Sequence, residues 1–289
     1  MKLLLKFNLI FLLVFLVGLA GSSLVARTLL QKAATDEVAD RARLLIEKAN
    51  AVSAYTANQI KPLLETQMKY TFLPQSVPAY SAAEVLETLQ KTYPEYSFKS
   101  AMLNPTNPRD KAVAWEEDVV NQFIKTPDMK EFIGQRETPT GTSLYIARPI
   151  RITNPACMSC HTTPDMAPKT LVDRYGPSNG FGWRLNEVMG AQVVSVPMTV
   201  PMRRADQALL VVAGVLATVF LLIGAALNFM LWKLVIQPVT RLSGIADKVS
   251  LGEEAPEFEV KSKDEIGVLS ESFGRMRKSL DQAMKMLEA

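Results

Sequence analysis

ALLVVAGVLATVFLLIGAALNFMLW, Ala208 to Trp232, divides the chain. No ionisable side chain interrupts it, and ~20 apolar residues suffice to cross the hydrocarbon core of a bilayer. A helix buried in a globular core seldom needs so long an unbroken run, so residues 208–232 are predicted to be a transmembrane helix. A second apolar run, Phe7 to Ala26, follows Lys2 and Lys6. Gly18-x-Ala20 and Ala20-x-Ser22 offer small residues suited to signal-peptide cleavage. The run nevertheless exceeds a signal core of ~7–15 residues and flows directly into helical sequence. The balance favours a retained anchor over residues 1–26. On either reading residues 27–206 are expected on the far side of the membrane, with membrane lipid as the first partner.

The rest of the composition narrows little. There are 32 basic and 29 acidic residues, a net charge of +3. With no block of like charge, no nucleic-acid partner is expected. The length suits about two domains. The lysines ahead of the first apolar run agree with the positive-inside rule, whereas Arg203 and Arg204 at the second run oppose Lys233 and Arg241.

Cys157-Met158-Ser159-Cys160-His161 breaks that tie. Cys-x-x-Cys-His is the attachment sequence of a c-type haem: two thiols add to the porphyrin vinyl groups and the adjacent imidazole reaches the iron. These are the only two cysteines, and His161 is the only histidine. A structural zinc site needs about four ligands, usually in two separated pairs. A thioredoxin-like pair would open a helix after a strand, whereas Pro155 and Thr162-Thr163-Pro164 read as loop. One covalent haem c on Cys157 and Cys160, with His161 as axial ligand, is therefore expected. Haem c is attached outside the bacterial cytoplasm, so residue 157 must be translocated. The expected location is the bacterial inner membrane, multi-pass, with residues 27–206 in the periplasm and 233–289 in the cytoplasm.

Along the chain, Leu24 to Lys61 lacks Gly and Pro, and Val38, Ala42, Leu45, Ala49 and Val52 keep a helical apolar seam. A long stalk helix ending near Pro62 is predicted, its seam a packing face and also a candidate dimer contact. Ser81–Lys91 reads as a helix with a Ser cap and Glu84 three residues on. Ser97–Leu103, Ser143–Ile152 and Ala191–Val196 read as strands, Asp110–Lys125 as a helix, and Gly180-Phe181-Gly182-Trp183 as a loop that places aromatic rings against a porphyrin or an ordinary core. The fold class is α+β, a PAS-like sensor whose last strand leads into a membrane helix.

Beyond Trp232 come Pro238 and Val239, Leu242, Ala246 and Val249 at heptad spacing. Gly252 is predicted to end that helix. A connector with Phe258 and Val260 follows, then Asp264-Glu265-Ile266-Gly267 and a second seam of Ile266, Leu269, Phe273, Met276, Leu280, Ala283 and Leu287. Two short heptad helices cannot bury their seams alone. They resemble a HAMP relay module in the proline after the membrane helix and in the Asp-Glu-x-Gly signature. HAMP modules are four-helix bundles made by two chains, so the resemblance implies a homodimer, through HAMP and stalk helices.

Tyr55-Thr56, Ile60-Lys61-Pro62, Asn104-Pro105-Thr106-Asn107-Pro108-Arg109, Ala147-Arg148-Pro149-Ile150 and the haem motif resemble the single-haem, PAS-like c-type haem sensor family over residues ~30–205. The resemblance implies a redox or small-ligand sensor. A cysteine as sixth iron ligand, used in that family, is closed to this chain because both thiols carry the haem.

A single histidine likewise excludes bis-His ligation. Met, Tyr, Lys, the terminal amine, water or an open site remain for the sixth position. A methionine would raise the potential; an open site would admit NO, CO or O₂. Met68 is the first candidate, Met102 and Met198 the next, with core filling as the plain alternative. Arg148 and Arg151 could pair with the haem propionates.

The chain is not expected to be an enzyme. No phosphoacceptor histidine exists apart from the haem ligand, and no P-loop or cyclase-like segment follows the HAMP-like region, so a separate cytoplasmic signalling protein is expected to read it. The alternative is a membrane-anchored monohaem cytochrome for periplasmic electron transfer. A haem peroxidase would lack a distal histidine.

Overall fold

The computed structural model describes residues 3–139, 141–253, 256 and 263–288. Lys2, Phe258, Val260 and the side chain of Leu287 lie outside what is described. The chain forms two compact units, one of Val25–Leu209 and one of Met1–Leu24 with Leu210–Ala289.

The first unit is built on a four-stranded antiparallel sheet. Its strands are β1 (Ser97–Met102), β2 (Phe132–Thr138), β3 (Gly141–Arg151) and β4 (Val188–Pro197), in the order β1-β4-β3-β2. The two central strands are covered on both faces, which explains the near-continuous apolar run in β4. One face receives α1 (Leu3–Tyr55), whose Val38, Ala39, Ala42 and Ile46 pack on Leu144, Ile146, Val194, Val196 and Met198. The other receives α4 (Ala114–Lys125), whose Val119, Val120 and Phe123 meet Ala101, Ala147, Ala191 and Val193. Alternate residues of one strand thus serve two helices.

The predicted seam of α1 is real, with Ile46 at its centre and Leu45 and Val52 only partly buried. Its role as a dimer contact is corrected, however. Val38, Ala42, Ile46 and Ala49 are fully buried within their own chain, so the stalk seam at these positions is not free for a second copy. Ion pairs flank the contact: Arg43 meets Glu131 at 2.9 Å, and Arg148 meets Glu131 at 3.0 Å and Glu47 at 2.5 Å.

The helix also outruns its predicted end. A π-helical turn over Thr56–Ile60 absorbs the break, Pro62 falls in the first turn of α2 (Lys61–Met68), and Thr56 is buried. Proline is tolerated there because a first-turn N–H has no partner to lose. Helix α3 (Pro78–Thr92) begins three residues before the predicted cap, again on a proline. Ser81 Oγ donates to the Gln75 carbonyl, and Glu84 meets Arg109 at 2.5 Å. Helix α4 likewise starts at Ala114, with Glu116 accepting from the Val113 N–H at 2.9 Å and from Lys99 at 2.7 Å. Asp110 instead ends a 3₁₀ turn, Pro108–Asp110. Two short helices, α5 (Met158–His161) and α6 (Lys169–Tyr175), lie between β3 and β4.

The second unit joins the start of α1 to α7 (Thr199–Leu231), two helices long and apolar enough to cross a membrane. Phe220 stacks on Phe11 and Phe15, with centroids 4.3 and 3.7 Å apart. Asn8 and Asn228 exchange two amide hydrogen bonds of 2.9 and 2.8 Å, each satisfying a group that an apolar surround would penalise. After a π turn at Trp232–Ile236 come α8 (Gln237–Ser250) and α9 (Glu265–Glu288). Gly252, at φ +76°, follows α8 as predicted. Asp264 caps α9 by accepting from the Ile266 and Gly267 amides. Leu242 is buried, whereas Val239, Leu269, Met276 and Leu280 stay exposed within the single chain.

Asp110 gives this fold a pH dependence. Burial pushes its carboxyl up to about 6, with Arg109 and Lys99 pulling it back. The folded state then holds the proton through a range where the unfolded state, near 3.8, has lost it. Stability contributed here is greatest below the lower value and falls as pH rises toward the upper one. Asp110→Asn should therefore raise unfolding stability above pH 6 by on the order of 2 kcal/mol, and leave it unchanged near pH 3. Chemical unfolding of the detergent-solubilised chain at the two pH values checks this; an equal gain at both would contradict the burial account.

Candidate haem-binding site

Past the irregularity at Ile150 and Arg151, the chain turns through a 3₁₀ segment, Pro155–Cys157, directly into α5. The Asn154 carboxamide accepts from the Ala156 N–H at 2.9 Å, and the Thr162 hydroxyl donates to the Met158 carbonyl at 2.6 Å, fixing both ends of the turn. One turn of helix puts Cys157 and Cys160, three residues apart, on the same side. Both are free thiols, half-buried. Burial pushes the Cys157 thiol up, while the nearby Lys61 ammonium pulls it down. The turn rests on an apolar cluster of Met102, Ile152 and Trp183, against which Cys157 and Met158 pack.

His161 is held on three sides. Its Nδ1 lies 2.7 Å from the Gly180 carbonyl, and its ring stacks on Trp183 with centroids 3.7 Å apart and planes 9° apart. The Thr106 hydroxyl is a longer neighbour at 3.4 Å. Burial pushes the imidazole pKa down. A carbonyl can only accept, so Nδ1 carries the proton and Nε2 carries the lone pair. This is the tautomer a metal-binding histidine needs, with the second nitrogen oriented by a backbone carbonyl.

The loop that does this is the one singled out by its glycines. Gly182 N–H donates to the Thr162 carbonyl at 2.9 Å and Trp183 N–H to the His161 carbonyl at 3.2 Å, stitching the loop to the motif. Gly180 has φ +82°, and a Cβ there would lie 2.0 Å from Thr106 Oγ1. Glycine is required on both counts. Trp183 is buried in the cluster below, as the core reading of the aromatic loop expects, and it also stacks on the histidine.

In the sequence Asn104 stands out only as part of a resemblance, and its contacts at the site are not legible there. Its side chain accepts from Gly180 N–H at 3.0 Å and donates to the Phe181 carbonyl at 3.1 Å, and its own carbonyl receives Trp183 Nε1 at 3.3 Å. The sequence signal was the pairing of two Gly- or Pro-rich segments, but nothing local says that they meet.

The remaining candidates are scattered. Met68 ends α2 half-exposed, and α2 buries none of its side chains, with Leu63 74% exposed. Met102 shares the cluster under Cys157, whereas Met198 is buried on the α1 face of the sheet. Arg148 is already paired with two carboxylates. Arg151 donates to the carbonyls of Asn186 and Pro127, at 2.6 and 3.1 Å. Among the described residues no cluster of three or more His, Cys, Asp or Glu could hold a bare metal ion. Two thiols on one side of a turn, an imidazole presenting Nε2, and an apolar floor fit a covalently held haem.

Comparison with known proteins identifies two regions of the chain. Residues 230–282 match the HAMP domain. A methyl-accepting chemotaxis protein, TlpA of Bacillus subtilis, is 28% identical over 106 residues, covering 37% of this chain and only 15% of that protein. A solved structure, the cyanobacterial heme-protein Tll0287, is similar at 17% identity and a TM-score of 0.44, covering 56% of this chain and 95% of that one. Residues 31–197 match the Tll0287-like family, and the chain belongs to that family, with a HAMP domain following.

Proposed function

We propose that this protein is a haem-c receptor of the bacterial inner membrane. Residues 27–206 are a PAS-like periplasmic domain carrying one haem on Cys157 and Cys160. Residues 1–26 and 208–232 span the membrane, and the HAMP segment, 233–289, passes the state of the iron to a separate cytoplasmic signalling protein. The observation that carries this is the 2.7 Å contact of His161 Nδ1 with the Gly180 carbonyl, beside two free thiols one helical turn apart. When bound, haem supplies an iron that can change its charge by one electron or take a small ligand. The chain's own residues attach it, orient its ligand and exclude water.

Among sixth-ligand candidates, Met68 is retained because α2 buries none of its side chains, and Met198 is set aside because it is buried on the α1 face. Of the two arginines, Arg151 is kept for a propionate, since no carboxylate pairs with it among the described residues. The exposed seams of α8 and α9 support a HAMP homodimer. The rival reading, a membrane-anchored electron carrier, gives those two helices nothing to do.

Haem staining of the full chain after denaturing electrophoresis should be positive, and a Cys157→Ala, Cys160→Ala double variant negative; staining that survives the double variant would sink covalent attachment. Optical spectra of the purified holoprotein, oxidised and reduced, with and without NO or CO, test the sensing reading. Met68→Ala should convert the reduced iron from indifferent to gas-binding, and identical spectra would remove Met68 as ligand. Finally, cysteines at Leu269 and Met276 should crosslink to dimers in membranes while one at the off-seam Glu271 should not. Monomers throughout would contradict the HAMP dimer.

A further inference from the structure

We infer that Asn104 is a positioning residue that tunes the iron ligand, by clamping the loop whose Gly180 carbonyl holds His161 Nδ1. This rests on the haem reading above.

The bond from His161 Nδ1 to Gly180 O is short at 2.7 Å, while a second neighbour, Thr106 Oγ1, stands at 3.4 Å. The quality of the ligand therefore depends on where one carbonyl sits. That carbonyl belongs to a buried glycine at positive φ, a conformation that its own side chain cannot enforce because it has none. What holds it is Asn104. The Asn104 carboxamide takes the Gly180 N–H on its oxygen and gives its N–H to the Phe181 carbonyl. The two peptide groups flanking residue 180–181 are thus gripped from outside, one by an acceptor and one by a donor. The Asn104 backbone carbonyl adds the Trp183 indole N–H, so the ring stacked on the imidazole is anchored at the same residue.

Only a carboxamide can do this at that length. A carboxylate has no donor for Phe181 O, a hydroxyl cannot span both groups, and an apolar isostere leaves both unpaired. Asn104 sits two residues after β1, and the next residue on the sheet side, Leu103, donates to the Met189 carbonyl of β4 at 3.2 Å. The clamp is therefore fixed to the sheet and not to a free loop.

A backbone carbonyl accepting from Nδ1–H raises the basicity of the imidazole. A more basic ligand favours the more positive, oxidised iron. Loosening the clamp should weaken the ligand and raise the midpoint potential. The gap between a structural and a tuning role lies here, since simple loss of packing would lower haem content or stability without an ordered shift in potential.

The test is potentiometric titration of the full-length holoprotein, read optically, beside its haem stain. Asn104→Leu should keep covalent haem and show a higher midpoint potential than the parent. Asn104→Gln, which retains both amide groups, should return it part of the way. If Asn104→Leu fails to fold, Asn104→Ser takes its place with the same expected rise. An unshifted potential in a haem-loaded Asn104→Leu or Asn104→Ser variant overturns the assignment while leaving the haem reading intact. A parent protein without covalent haem overturns both.

Discussion

The apolar contact between α1 and the α1-facing side of β3 and β4 is the constraint on which the rest of the structure depends. Val38, Ala42 and Ile46 meet Leu144, Ile146, Val194 and Val196 there, and Ala49 continues the stripe onto Ala82 and Leu86 of α3. Each large side chain fully buried there, such as Leu144 or Ile146, is worth ~1.5–3 kcal/mol. With one face closed by α1 and the other by α4, the two central strands have no solvated side, and chemistry is displaced to their ends. The candidate haem site stands where β3 has ended and β4 has not yet begun. Its floor of Met102, Ile152 and Trp183 is a satellite cluster apart from the two that hold the sheet together.

The same contact explains which parts of the fold were legible. Strands β1, β3 and β4 carry apolar residues because both faces of the sheet are buried, and α1 shows a helical seam because one stripe is buried. Strand β2 carries neither sign. Phe132–Thr138 is an edge strand mostly exposed to solvent, with Gly134 in its middle. That glycine is there because Tyr145 of β3 crosses it, and a Cβ would lie 2.4 Å from the ring; locally it reads as a loop. Helix starts were misplaced for a related reason. Ser81 and Asp110 have the residue types of caps, yet Pro78 and the Val113–Glu116 pair do the initiating, and Asp110 is drawn into a half-buried turn.

At the site, the motif is legible in the sequence and the groups that position it are not. Two cysteines, a histidine and their spacing are local, and a single turn of helix is enough to express them. The groups that orient His161 come from residues 104 and 180, far apart in sequence, and meet only because β1 and β4 are neighbours. Glycine at 180 is a visible clue to unusual backbone, but its partner Thr106 is not. Arg148, near the motif in sequence, is turned by strand alternation toward Glu47 on α1, a partner that nothing local in the sequence announces.

The neighbours of β4 bear on how an event at the iron would leave the domain. Every residue of β1 from Ser97 to Met102 pairs with β4, Gly190 admits no Cβ because Ala101 O would be 2.4 Å away, and β4 runs through Met198 into α7. On the proposed reading, Asn104 therefore senses the ligand loop at one end of β1 while β4, in register with that strand, leads into the exit helix. Close-packed interiors do not stretch gradually. A shift of β4 has to be accommodated against Val38, Ala42 and Ile46 of α1, which pack on Val194 and Val196. The element to examine for two discrete states is consequently the α1–β4 contact, since it is the surface along which the strand leading to α7 can move without breaking a ladder hydrogen bond.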